Sequence, residues 1–147
     1  MARGEGGHEK VMASPDLELQ GAIVARLKAR ASLTAKVAQR IYDRPPTNAP
    51  FPYVEYGESQ VIRDDVGCLK SNLIYVTIHV WSQYSGGFKE LKEIIHEVVE
   101  ALDEAPLVLP SHRLVSITRQ DTRHFKDPDE VTTHGVVEFV ARVETPA

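Results

Sequence analysis

At 147 residues and 16.4 kDa the chain has the length of one domain, and a chain of this size buries about 70% of its unfolded surface, enough for a core without disulfide or metal support. A formal charge of −4 and a pI near 5.9 argue against an electrostatic nucleic-acid binder. The single cysteine, Cys68, cannot form an internal disulfide and points to synthesis in a reducing cytosol, while no apolar run approaches the ~20 residues of a membrane helix or a signal peptide's hydrophobic segment.

Residues 1–13 are polar and glycine-rich without periodicity, which predicts a flexible arm ahead of a single domain over 14–147. Ser14-Pro15-Asp16 has the form of a helix start: a hydroxyl N-cap, proline at the first helical position, and acids near the positive end of the dipole. The helix is expected to run to about Arg30, with Leu17, Val24 and Leu27 as its narrow apolar face. A second short helix is expected over Ser32 to Ile41, with Leu33, Val37 and Ile41 on one side. Residues 43–52 hold four of the nine prolines and predict a stiff connector. Tyr53 to Ile62 then reads as a strand, with Pro52 and Gly57 suggesting an edge position or a bulge, and Arg63 to Ser71 as a polar link to the next strand.

The strongest pattern lies in Ser71 to Leu102. Ile74, Val76, Ile78 and Val80 alternate with Tyr75, Thr77, His79 and Trp81, giving a strand with one aliphatic and one aromatic-polar face. Ser85-Gly86-Gly87 permits a sharp turn and offers a helix cap. Phe88, Leu91, Ile95, Val98 and Leu102 then fall on one helical stripe that should lie on a sheet. Pro106 and Pro110 prevent its continuation. Leu114, Val115 and Ile117 begin a strand that turns polar from Arg119 to Lys126, residues 127–130 form a turn, and Val131 to Val143 returns as its hairpin partner. Together these elements predict an α+β fold: a mainly antiparallel sheet of about four strands, with one long amphipathic helix and the N-terminal helices packed on it.

Catalytic and metal motifs do not emerge. The six histidines show no HxxxH or HExxH spacing; His124 and His134, equidistant from the predicted turn, are expected to face each other as hairpin decoration rather than as metal ligands. Asp64-Asp65 reads as a solvated turn, and Gly86-Gly87 lacks the lysine of a phosphate loop. The domain therefore reads as a binding or assembly module without cofactor rather than an enzyme. Tyr53, Tyr56, Tyr75, Trp81 and Tyr84 lie on or beside strands with only one core face. Such aromatics suit either a protein contact or burial under the N-terminal helices.

The strings DLELQGAIVARLKA, RIYDRPPTNAPFPYVEYGE, IHVWSQYSGGFKELKEIIHEVVEAL and HRLVSITRQDTRHFKDPDEVTTHGVVEFVARVE, spanning about Pro15 to Val143, resemble the tail-terminator (tail-completion) family of long, non-contractile-tailed phages and gene transfer agents. The resemblance implies a structural virion protein, made in the producer cell's cytoplasm. It would form a homo-hexameric ring on the tail-tube protein, end tail polymerisation, and join a head–tail connector protein, with DNA crossing the lumen unbound. Such a ring needs two different patches per subunit. Subunit-contact candidates are Tyr75, His79, Trp81, Tyr84, Arg119, Arg123 and His124; lumen candidates are Arg63, Asp64, Asp65 and Lys70. A head–tail connector is the alternative within a virion, and a small α+β binding domain the alternative outside it.

Overall fold

A computed structural model describes residues 13–146; the arm expected over residues 1–13 lies almost wholly outside them. Helix α1, Pro15–Ala29, is opened by Ser14, whose hydroxyl accepts a hydrogen bond from the Leu17 amide at 3.0 Å. Its buried stripe is Leu19, Ile23 and Leu27 at successive i, i+4 positions, whereas Leu17 is 59% exposed and Val24 only partly covered. Two overlapping apolar stripes are present on this helix. Contact with the sheet selects between them, and it takes Glu18 inward because that carboxylate finds donors there.

Helix α2, Ala31–Val37, stops short of the expected boundary. Ala38 adopts φ 55°, a left-handed conformation that ends the helix. Ile41 therefore belongs to strand β1, Ile41–Tyr42, which runs parallel to Val54 and Glu55. Arg40 fixes this crossing: its carbonyl accepts from the Val54 amide and its Nε donates to the Pro52 carbonyl at 2.9 Å.

The remaining strands are β2 (Tyr53–Arg63), β3 (Lys70–Ser82), β4 (Arg113–Lys126) and β5 (Thr133–Thr145), with helix α3 (Lys89–Leu102) between β3 and β4. The sheet has five strands, not four, in the order β1-β2-β3-β5-β4; all pairs except β1–β2 are antiparallel. The extra strand is the two-residue β1, too short to leave a period-two signal in the sequence. β2 carries the expected bulge, between Tyr56 and Ser59.

Register decides which side chains share a face. Ile74, Val76 and Ile78 lie opposite Ala141, Phe139 and Val137, and all six are buried. α3 covers them with Leu91, Ile94, Ile95, Val98, Ala101 and Leu102, and α1 and α2 complete the layer. Gly135 lets α3 approach β5, since a Cβ there would stand 2.6 Å from the Ile95 Cδ1 atom. Ser85 does not cap α3. The helix begins after Phe88 without a side-chain cap bond, and Gly87, at φ 99°, makes the turn. Ser82 braces the junction instead, accepting from the Tyr84 amide and donating to Glu90 at 2.6 Å.

Candidate functional site

All three helices lie on the face of Ile74, Val76 and Ile78, so the alternate residues of each strand form a second face that no other described element covers. Across that open face the pairings Tyr53–Trp81, Trp81–His134 and His134–Phe125 place four rings in a row. Trp81 and His134 stack at 3.8 Å between centroids and 10° between planes; Tyr53 stands 6.5 Å beyond Trp81, and Phe125 meets His134 edge-on at 4.9 Å. Tyr42 and Phe51 continue the cluster at 5.7 and 5.2 Å from Tyr53. The indole N–H of Trp81 donates to Glu55 at 3.0 Å, fixing the ring's orientation.

The next row joins three titratable groups. His79 Nδ1 lies 2.8 Å from His134 Nε2, and His79 Nε2 lies 3.0 Å from a Glu58 carboxylate oxygen. Only one hydrogen fits between the two imidazoles, so both rings cannot be doubly protonated in this arrangement. Burial, then the positive charge of His79, pulls His134 down to about 4. The His79 hydrogen bond, aided by a backbone bond, holds Glu58 below the usual carboxylate range. The three groups form a chain rather than a converging ligand set, and among the described residues no His, Cys, Asp and Glu group of metal-binding geometry occurs. Below them Arg123 spans Asp121 at 2.7 Å and Glu138 at 3.4 Å.

Of the residues proposed from sequence, Tyr75, His79, Trp81 and Arg123 meet on this face. The others do not join them. Tyr84 lies in the turn before α3 with its ring against Gly86. Arg119 pairs with Phe139 on the helix side, its amide donating to Asp103. His124 also lies on the helix side, 4.6 Å from Phe88. The hairpin register sets His124 opposite Gly135 and Phe125 opposite His134, so the two histidines expected to face each other point to opposite sides. Arg63, Asp64, Asp65 and Lys70 gather at the β2–β3 tip, where Arg63 pairs with Asp65 at 2.8 Å and Asp64 with Arg142 at 2.6 Å. Glu58, Phe125 and His134 belong to the open face, where the sequence alone does not put them, because their place depends on register and on the β2 bulge.

A second polar cluster lies under the helices. Glu18, almost fully buried, accepts from the Ser111 amide and hydroxyl, and His112 Nδ1 stands 3.0 Å from it. Burial pushes this carboxyl up, but the two Ser111 bonds and His112 outweigh it and hold it at about 2. The cluster ties α1 to the segment entering β4, 93 and 94 residues away.

One sheet face is buried in the chain's own core and the other is left clear with an aromatic row across it, an arrangement of the kind that protein contacts cover. The family model described as tail completion protein gp17 matches residues 21–144, and the chain belongs to that family of structural, non-enzymatic tail proteins of virions. The tail completion protein gp17 of Bacillus phage SPP1 is 28% identical over 119 residues, covering 81% of this chain and 87% of that protein. A chain in the virion of a native gene transfer agent particle superposes with a TM-score of 0.83 at 28% identity, covering 90% of this chain and 99% of its own. The solved structure of SPP1 gp17 shares the fold, with a TM-score of 0.57 at 24% identity, covering 89% and 90%.

Proposed function

We propose that the protein assembles as a ring of six copies on the end of a tail tube, halts tube growth, and presents the surface that joins the tail to the head connector. The observation that carries this reading is the uncovered sheet face of a chain belonging to the tail completion family. Tyr75, His79, Trp81 and Arg123 supply that face's contact with a neighbouring virion subunit. Tyr84, Arg119 and His124 lie off that face and serve a second, separate contact. The β2–β3 tip, with Arg63, Asp64, Asp65 and Lys70, turns to the lumen. Its two aspartates each hold an arginine, so the tip offers DNA a mixed rather than basic surface, as passage without binding requires.

Trp81→Lys tests the reading. The ring is only half-buried within the subunit, so the variant should still melt cooperatively, while particles assembled with it show overlong or unjoined tails by electron microscopy. Normal tails would remove Trp81 from the contact. Deletion of the whole chain should also give overlong or unjoined tails; correct-length tails with leaking heads would place the protein at the connector instead.

A further inference from the structure

Residues 43–52 form a loop that is fixed at both ends and exposed between them. Tyr42 and Phe51 stand against Tyr53, and Arg40 Nε holds the Pro52 carbonyl at 2.9 Å. Within the loop the Ala49 amide closes a turn on the Pro46 carbonyl at 3.1 Å, with Asn48 at φ 61°. Ala49 is buried and anchors this turn, while Arg44, Pro46, Thr47, Asn48 and Pro50 are exposed and Pro45 is half-buried. A folded turn rich in proline loses little freedom when another surface takes it up.

The open sheet face has the chemistry that such a loop needs. Proline-rich segments dock on aromatic-lined surfaces, and the row of Tyr53, Trp81, His134 and Phe125 is one. Beside the row stand four carboxylates, Glu55 next to His79, Glu58 at the β2 bulge, and Glu138 opposite Asp121. Arg123 is the one arginine or lysine on these rungs. Asp121 and Glu138 are like charges directly across a strand pair, an unfavourable arrangement that the single Arg123 spans. At the far end of the same face, by contrast, Arg113 pairs with Glu144 and Arg142 with Asp64. The belt beside the aromatic row is therefore where the face lacks positive charge.

We propose that the 43–52 loop of one copy seats on the open sheet face of the next, Pro45 and Pro46 against the aromatic row and Arg44 against the carboxylates beside it. This seating rests on the ring reading above and names a contact that builds the ring. Charge favours it. From Leu19 to Pro52 the chain carries six cations, Arg26, Lys28, Arg30, Lys36, Arg40 and Arg44, against the single acid Asp43, and α3 answers only two of them, through Glu97 and Glu93. Symmetry favours it too. A loop on one copy meeting a different surface on the next is a heterologous contact, the kind that closes into rings. Nucleic acid is excluded as the occupant, because four carboxylates repel a phosphate backbone.

The test uses two full-length variants, Arg44→Glu in the loop and Glu58→Lys with Glu138→Lys on the face. Circular dichroism and thermal melting establish that each folds. Sedimentation across a concentration series reads association in solution, and electron microscopy reads ring assembly on particles carrying each variant. Either variant alone should need on the order of tenfold more protein to associate and should leave tails uncapped. An equimolar mixture should recover both, because copies that alternate around a ring of six restore opposite charges at every contact. Trp81 is the only tryptophan in the chain, so its fluorescence should shift as wild-type copies associate and proline covers the ring. A single variant that associates as wild type does, a mixture no better than either variant, or Trp81 emission unchanged by association overturns the seating while leaving the ring standing. A wild-type chain that is monomeric at every concentration and forms no ring on particles removes both.

Discussion

Replacing Glu18 by Gln keeps the side chain's shape and removes its charge from a site where it accepts from the Ser111 amide and hydroxyl and faces His112. A carboxyl carried from 4.5 to about 2 on folding corresponds to about 3 kcal/mol of preference for the ionised form. The sign follows from which state takes up the proton first. Between 4.5 and about 2 the unfolded chain binds it and the folded chain does not, so stability is complete above 4.5 and is lost as pH falls through this window. Glu18→Gln should therefore cost about 3 kcal/mol near neutral pH, in the range of breaking buried charge-assisted bonds, and much less near the bottom of the window. Urea unfolding of both proteins near pH 7 and near pH 3 measures the difference. A variant within about 1 kcal/mol of wild type at neutral pH, with an unchanged acid slope, would refute the clasp between α1 and the β4 entry.

Three further outcomes follow from the geometry. Phe139 is the largest fully buried side chain, and Phe139→Ala should cost about 3–5 kcal/mol in chemical denaturation. At Gly57 a Cβ would lie 2.5 Å from the His79 ring and 2.8 Å from the Thr77 carbonyl oxygen, which belongs to the backbone and has little room to yield. Gly57→Ala should thus cost about 1–3 kcal/mol and displace His79, seen as changed imidazole shifts in NMR spectra. His134 should titrate near 4 by NMR, and His79→Gln should move it up toward 6.5 by removing a neighbouring positive charge. No movement would place the whole depression in burial.

The parts of the fold written in short periods were legible. Alternation from Ile74 to Val80 identified the core face of β3, and the stripe from Leu91 to Leu102 identified α3, because burial of one face imposes those spacings directly. Features that depend on a partner distant in sequence were not. Ile41 continues the helical spacing of Leu33 and Val37, yet it pairs with Val54 once Ala38 has turned the chain. Ser85 had the chemistry of a cap and the wrong position for it. A one-residue difference in register separated His124 from His134 and set His134 beside Trp81 and His79. The candidate face was thus half visible: Tyr75, His79 and Trp81 came from alternation, whereas Glu58, Phe125 and His134 required the folded sheet.

The central pair of strands differs in mechanical character from its flanks. β3 and β5 hold 13 consecutive residue pairs in unbroken register, while every irregularity falls in β2 or β4. Load along the strands is shared by all rungs of the middle ladder, and the outer strands can bend at their bulges without unzipping it. The sheet thus has a regular central ladder, and its outline bends only along the two outer strands.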